Sequence, residues 1–278
     1  MAQATRSGPG QTLRRVLTGV VLIPLVLALV LWAPQPLFAG VVALIAWLTV
    51  REYLDLAARS GMAPVKYAAW AAVVLMVIWP GSREALVLLP ALALGLILWP
   101  SRPLSAALSG AASTLFGILY VGWPLALLAD LRQRPNGPQW VIYLLVLIWI
   151  SDTAAYFAGR AFGRHKLSPR VSPGKSWEGA AASLLCAVAF GIAYPKFFIP
   201  GFAAGEIWAA TTAVAVNVAG QVGDLAESAI KRGAGVKDSG ALLPGHGGML
   251  DRIDALLFAV PVLWYILWLR SGGFFAPL

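Results

Sequence analysis

Charged and small polar residues crowd into one segment, residues 228–254, in a chain otherwise made of long apolar runs. Charged side chains are expensive near hydrocarbon, so a dense cluster of them usually marks a functional site. Carboxylates interleaved with basic residues and a glycine-rich turn suit a polyphosphate that carries a metal ion. The sequence therefore predicts an enzyme embedded in a membrane, with its chemistry at the ends of its helices.

The first group of candidate residues lies in GQVGDLAESAIKR, residues 220–232. On a helix, Asp224, Glu227 and Ser228 share one face, and Lys231 lies one turn further along. Asp224 follows a long apolar run, where an acid needs a cation or a basic partner. We therefore assign Asp224 to a metal or a substrate. Glu227 and Lys231 are equally well spaced for a purely structural ion pair, and both interpretations stay open.

The second group lies in PGHGGMLDRID, residues 244–254. Its glycines allow a close backbone approach to a ligand and present N–H groups at the start of the last helix. They are Gly245, Gly247 and Gly248. Asp251 and Asp254 follow one turn apart on that helix. If the last two charged helices are neighbours, Asp224 and Asp251 converge on one cation, and such oxygen ligands select Mg²⁺.

The third group lies in SPGKSWEG, residues 172–179, and contains Ser172, Lys175, Ser176 and Glu178. Its GKS triplet is similar to the end of a P-loop, which requires a glycine five residues before the second one. That position holds a proline, and we expect no strand before the motif, so a P-loop is excluded. A loop that binds a polyphosphate through Lys175, Ser176 and backbone amides remains the interpretation.

Composition sets the fold class. Apolar residues make up 59% of the 278-residue chain, charged residues 12%, and the mean hydropathy is +0.77, whereas soluble domains carry about 25% charged residues. We predict an all-α polytopic integral membrane protein with about nine transmembrane helices. The predicted spans are residues 16–33, 37–57, 67–80, 85–99, 104–129, 139–160, 177–195, 206–230 and 250–269.

The distribution of basic residues predicts the orientation. With nine spans, 16 of the 21 basic residues fall on one side of the membrane. The positive-inside rule places that side, with the N-terminus and the loops 160–176 and 231–249, in the cytoplasm. The net charge of +9 is explained in this way, without nucleic acid. Cys186 is the only cysteine, which excludes an intrachain disulfide and a thiolate metal cluster.

The two halves of the chain differ in their acids. Residues 1–140 hold four of the twelve acidic residues between short Pro/Gly-rich connections, and we interpret them as transmembrane scaffold helices. Residues 141–278 hold the other eight, and we interpret them as a catalytic transmembrane region. No internal repeat is evident, although inverted repeats are typical of many transporters.

The run from Ser228 to Asp254 resembles the signature of the phosphatidate cytidylyltransferases, or CDP-diacylglycerol synthases, at every position. SDTAAYFAGR (151–160) and SPGKSWEG are similar to a second region of that family. The resemblance covers residues 150–256 by motif and the N-terminal half by hydropathy. It implies a multi-pass inner-membrane enzyme that joins CTP and phosphatidate at a cytoplasmic active site, giving CDP-diacylglycerol and pyrophosphate, with Mg²⁺ required.

The resemblance also implies residue roles. The catalytic residues are Asp224, Asp251, Lys231 and Asp238. The metal ligands are Asp224, Asp251 and Asp254. The substrate-binding residues are Ser172, Lys175, Ser176, Glu178, Arg232, Lys237, Gly245, His246, Gly247, Gly248 and Arg252. CTP, phosphatidate and the lipid bilayer are the expected partners. A second cation and a homodimer are left open.

Two other functions fit the same setting. A CTP-dependent polyprenol or dolichol kinase would share the membrane and the nucleotide, but its alcohol acceptor would make a general base more important. An ion-coupled transporter would place its acids near the middle of the bilayer and would not depend on a nucleotide. Here the acids lie toward one end, beside basic loops, which favours the cytidylyltransferase.

Overall fold

The computed structural model describes residues 22–79, 89–98, 104–240 and 247–272. These residues form ten α-helices, one π-helical turn (Ile118–Gly122) and a β-hairpin. The first six helices are α1 (Leu22–Trp32), α2 (Gln35–Arg59), α3 (Lys66–Ile78), α4 (Leu89–Ile97), α5 (Leu104–Gly117) and α6 (Trp123–Gln133). The remaining elements are α7 (Gly137–Phe162), β1 (Lys166–Ser168), β2 (Ser172–Ser176), α8 (Trp177–Phe198), α9 (Gly205–Gly233) and α10 (Leu250–Arg270).

Each predicted span overlaps at least one of these helices, and the described residues include five candidate membrane spans. The five are Gln35–Arg59, Ser105–Gln133, Gly137–Phe162, Trp177–Phe198 and Leu250–Arg270. Helix α9 is 29 residues long but is not among them. Its Asn217, Gln221 and Asp224 lower the hydropathy of a segment that is otherwise apolar. A total of nine crossings stays a prediction.

The expectation that no strand precedes SPGKSWEG is wrong. The loop 160–176 contains a short antiparallel hairpin in which Lys166 pairs with Ser176 and Ser168 with Ser172. The Trp177 N–H donates to the His165 carbonyl at 2.9 Å and continues this pairing to the start of α8. A strand therefore does precede SPGKS. However, SPGKS is itself the second strand, so the exclusion of a P-loop stands on geometry as well as on sequence.

Small residues bring the last four helices close together. A Cβ atom added to Gly223 of α9 would lie 2.6 Å from the Asp254 carbonyl of α10, and one added to Gly179 of α8 would lie 2.8 Å from the Ala155 carbonyl of α7. Glycine at such positions lets helix backbones approach closely. As a result, the polar side chains near one end of α7, α8, α9 and α10 face a common region.

One buried cluster joins both halves of the chain. It includes Val50 and Leu54 of α2, Leu125 of α6, and Leu257 and Trp264 of α10. Trp264 Nε1 donates to Asp130 of α6 at 2.6 Å, which adds a polar contact between the halves. The division at residue 140 into scaffold and catalytic regions stays a prediction. The packing shows that α2 and α6 directly support α10.

Candidate active site

A cavity of about 610 Å³ opens between α7, the hairpin, α8 and α9. Pockets for small molecules typically measure about 300–1,000 Å³, so a nucleotide fits its size class. The charged side chains in its wall are Asp152, Arg160, Lys166, Lys175 and Asp224. The cavity therefore offers both signs of charge, with a basic excess suited to phosphate.

Lys175 and Asp224 contact each other in the wall of this cavity. Lys175 Nζ lies 2.7 Å from Asp224 Oδ2, and the two side chains are 24% and 35% exposed. The Ser228 hydroxyl lies 3.5 Å from the other carboxylate oxygen. Partly exposed ion pairs contribute little stability, because water competes for both charges. This contact can therefore exchange its partners when a charged ligand arrives.

Two further carboxylates stand close enough to Asp224 to interact with it electrostatically. Asp152 approaches from α7 and Asp254 from α10. Asp254 was predicted as a metal ligand, and one of its oxygens lies 2.8 Å from the Ala255 N–H of its own helix. Asp152 was missed by the sequence analysis. Its signal was the same as that of Asp224, a single acid directly after a long apolar run.

A buried hydrogen-bond network lies beneath the charged groups. It was not predicted from the sequence. Asn217 Nδ2 donates to the hydroxyls of Ser151 and Ser183, each at 2.9 Å. Asn217 Oδ1 accepts from Gln221 Nε2 at 2.7 Å. Buried polar groups satisfied in this way hold their rotamers rigidly. The network fixes α7, α8 and α9 in one relative position below the cavity.

A second group of charges centres on Lys231. Its Nζ lies 2.6 Å from Glu227 Oε2 and 2.5 Å from Asp251 Oδ1. Glu227 is 0% exposed, and the Lys231 and Asp251 side chains are only 12% and 10% exposed. The structural pairing of Glu227 with Lys231 that the sequence allowed is confirmed. The additional contact with Asp251 ties the end of α9 to the start of α10.

Asp251 has further partners. Its Oδ2 accepts hydrogen bonds from the Ser239 N–H at 3.0 Å, the Ser239 hydroxyl at 2.9 Å and the Gly248 N–H at 2.7 Å. The Gly248 donor, which was predicted to face a ligand, thus serves Asp251 in this structure. Gly247 precedes it with a φ of +79°, a conformation that favours glycine. Gly245 and His246 lie outside the described residues.

The hairpin is held by residues that were predicted to bind substrate. Ser176 caps α8 by accepting the Gly179 N–H at 3.2 Å. Glu178 Oε1 lies 2.7 Å from His165 Nδ1, and both its oxygens are near the His165 N–H. Glu178 thus contacts the hairpin and is not among the residues that line the cavity, whereas Ser172 and Ser176 are.

The other predicted residues lie at the rim of this region. Arg232 donates to the carbonyls of Val171 and Val236 and so links α9 to the hairpin turn. Lys237, Asp238 and Arg252 are exposed. The structure therefore brings Lys175 and Asp224 to the cavity and Lys231 and Asp251 together behind it. Roles for the rim residues stay predictions.

Within the described ranges, no three His, Cys, Asp or Glu side chains are grouped closely enough to hold a metal ion by themselves. The two predicted ligands on α9 and α10, Asp224 and Asp251, each contact a different lysine. Mg²⁺ usually takes one or two carboxylates and completes its shell with water and substrate phosphates. A complete protein cage is therefore not required for it.

The chain matches the model of the family described as the cytidylyltransferase family over residues 13–270. It is similar to a phosphatidate cytidylyltransferase of Pseudomonas aeruginosa, with 39% identity over 273 residues, or 94% of this chain and 98% of the relative. A phosphatidate cytidylyltransferase of Haemophilus influenzae is 42% identical over 176 residues, covering 60% of this chain and 58% of the relative. One of Brucella suis is 42% identical over 157 residues, or 56% of this chain and 57% of the relative.

Proposed function

Because the chain belongs to the cytidylyltransferase family, we propose that it transfers the cytidylyl group of CTP to phosphatidate, giving CDP-diacylglycerol and pyrophosphate. The observation that carries this proposal is the Lys175–Asp224 contact in the wall of a cavity of nucleotide size. A basic side chain and an acid in an open cavity next to apolar helices suit a charged nucleotide and a lipid together.

The reaction needs positioning more than proton transfer. A phosphate oxygen of phosphatidate forms a bond to the α-phosphorus of CTP, while the bond from that phosphorus to the bridging oxygen breaks. The electron pair leaves on pyrophosphate. Phosphatidate is already anionic, so no strong base is required, and the main tasks are alignment and charge neutralisation. Arg160, Lys166 and Lys175 line the cavity, and they would meet the phosphate oxygens of a bound nucleotide.

Mg²⁺ is part of the proposal. Carboxylate oxygens suit this ion, and the electrostatic interaction of Asp152 and Asp254 with Asp224 supports a cation beside Asp224. Asp224 would hold it first, with Asp254 or Asp152 beside it. When bound, the ion neutralises charge on the transferring and leaving phosphates. Asp251 would join these ligands if it exchanged its contact with Lys231 for one with the cation. The proposal also includes a second cation.

The orientation proposed for the molecule is an inner-membrane protein with this site in the cytoplasm. Among the described residues, the end of the bundle that carries the cavity holds most of the lysines and arginines, which supports that orientation. Single cysteines at Ser168 and Asp238, in a Cys186→Ala background, should react only with reagents that reach the cytoplasm. Labelling of either cysteine from the outside of intact cells would contradict the proposed orientation. A homodimer stays a prediction.

The decisive experiment uses the purified protein in detergent or vesicles with phosphatidate and with CTP radiolabelled in its cytidine or α-phosphate. The expected product is a labelled CDP-lipid that forms only when Mg²⁺ is supplied. Replacing phosphatidate by a polyprenol tests the kinase alternative, because that reaction would release CDP and leave the label in the nucleotide. A protein that makes no CDP-lipid under these conditions would contradict the proposed function.

A further inference from the structure

Glu52 belongs to α2, in the half of the chain predicted as scaffold, yet its carboxylate lies at the start of α10. Oε1 accepts the Met249 N–H and Oε2 accepts the Leu250 N–H, both at 2.9 Å. The first N–H groups of a helix have no partner within that helix. Glu52 therefore caps α10 from another helix, and an anion there also interacts favourably with the helix dipole.

The backbone closes around this carboxylate. A Cβ atom added to Gly248 would lie 2.3 Å from Glu52 Oε2, and one added to Gly240 would lie 2.7 Å from Oε1. Glu52 is 9% exposed as a result. Glycine is required at both positions because any side chain would displace the cap. The enclosure explains two glycines of the active-site segment without a ligand.

Ser239 connects the Glu52 cap to the group of charges around Lys231, through Asp251. Its hydroxyl oxygen lies 2.9 Å from Glu52 Oε2 and 2.9 Å from Asp251 Oδ2. A hydroxyl carries a single hydrogen and can donate to one carboxylate at a time. The two carboxylates thus share one donor. Whichever of them gains another partner releases the hydroxyl to the other.

We propose that Glu52 is a positioning residue for the transfer reaction. It fixes the first turn of α10 and, through the shared Ser239 hydroxyl, orients the Asp251 carboxylate in its contact with Lys231. This inference rests on the proposed function, in which Asp251 and Lys231 serve the transfer. When Asp251 turns toward a cation or a substrate, Ser239 donates to Glu52, so α10 keeps its cap during the exchange.

Glu52→Gln tests the proposal, because an amide keeps the size but loses one of the two acceptor oxygens. Partners that orient active groups typically contribute about 10–100-fold to activity, and we expect kcat to fall within that range with little change in KM for CTP. The matched control is Asp55→Asn, the same acid-to-amide change one turn along α2. The Asp55 carboxylate pairs with Lys66 at 2.5 Å and is 44% exposed. This control should keep the wild-type kcat.

Two further variants separate positioning from simple stabilisation. Glu52→Asp retains the charge and should recover part of the lost kcat. Ser239→Ala should lower kcat less than Glu52→Gln does, and the loss in the double variant should be smaller than the sum of the two single losses, because both variants disrupt the arrangement around the shared Ser239 hydroxyl. Fully additive losses, or a wild-type kcat in Glu52→Gln, would overturn the proposal. If Glu52→Gln does not fold, a wild-type kcat in Ser239→Ala overturns it.

Hydrogen–deuterium exchange gives a readout that does not depend on the reaction. Backbone amides in residues 247–255 should exchange faster in Glu52→Gln than in the wild type or in Asp55→Asn. Unchanged exchange in that segment would overturn the cap, whatever the activity. If the wild type produces no CDP-lipid while exchange responds as expected, the proposed function fails and the positioning of α10 by Glu52 is supported.

Discussion

Two lysine–aspartate contacts of the same chemistry lie in opposite surroundings. Lys175 and Asp224 meet at 2.7 Å in the wall of the cavity, where both side chains remain partly exposed. Lys231 and Asp251 meet at 2.5 Å behind it, where both are nearly buried and Glu227 is fully buried beside them. The open pair has space for a ligand next to it, whereas Asp251 of the closed pair already accepts two backbone hydrogen bonds and shares the Ser239 hydroxyl with Glu52.

This difference indicates that the open pair can exchange its partners for a ligand, whereas the closed pair stabilises the structure. A partly exposed pair costs little to break, so its members can leave each other for a phosphate or a cation. Removing one partner of a buried pair strongly destabilises the protein, because the other charge stays buried without compensation. We therefore expect the Lys175–Asp224 pair to respond mainly in activity, and the Lys231 group to respond in both activity and stability.

The largest expected effect is that of Asp224→Asn in the open pair. The substitution keeps the size but removes the charge, and loss of one preorganised electrostatic contact typically lowers the rate by about 10²–10³-fold. Thermal unfolding should be little changed, because the side chain is partly exposed. Asp251→Asn should lose comparable activity and also stability. Retention in both variants of more than about a tenth of the wild-type rate would contradict their metal assignment.

The next effect concerns stability. Lys231→Met removes the cation that contacts both Glu227 and Asp251, and breaking a buried pair typically costs about 3–5 kcal/mol. Unfolding in mixed micelles measures this loss. Lys66→Met is the control, because its exposed pair with Asp55 should contribute only about 0–1 kcal/mol. Equal losses in the two variants would remove the distinction between open and closed pairs.

A smaller effect should distinguish two lysines by kinetics. Lys175→Met should raise KM for CTP, because Lys175 lines the cavity and can bind phosphate before the reaction. Lys237→Met should lower kcat instead, if the exposed Lys237 meets only the charge that develops on pyrophosphate. Varying CTP at saturating phosphatidate separates the two. If both variants keep the wild-type kcat and KM for CTP, these loop lysines serve only to set the membrane orientation.

The smallest effect is expected at the hairpin. Glu178→Gln weakens the contact with His165 and its N–H, and one hydrogen bond contributes about 0.5–1.5 kcal/mol. KM for CTP should therefore rise by about 2–10-fold with kcat unchanged. Glu206→Gln, which removes an exposed acid that pairs with Lys196 at the far end of α8, is the control and should match the wild type. A large loss of kcat in Glu178→Gln would indicate direct contact with substrate.

Local patterns were sufficient for some of these features. The sequence made the convergence of Asp224 and Asp251 depend on their helices being neighbours, and the close packing of α9 against α10 at Gly223 shows that they are. Asp152 could have been found from its position after an apolar run. The contacts of Glu52 could not, because its partner Met249 lies 197 residues away along the chain. The hairpin has no alternation of apolar residues that would predict a strand.

The polar face of α9 has a consequence for how the chain enters the bilayer during synthesis. Asn217 and Gln221 find their hydrogen-bond partners on α7 and α8, which precede α9 in the chain. A polar segment is costly to insert alone, and the cost falls when earlier helices supply those partners. We expect α9 to leave the translocation machinery together with α7 and α8, as a preassembled unit onto which α10 then closes.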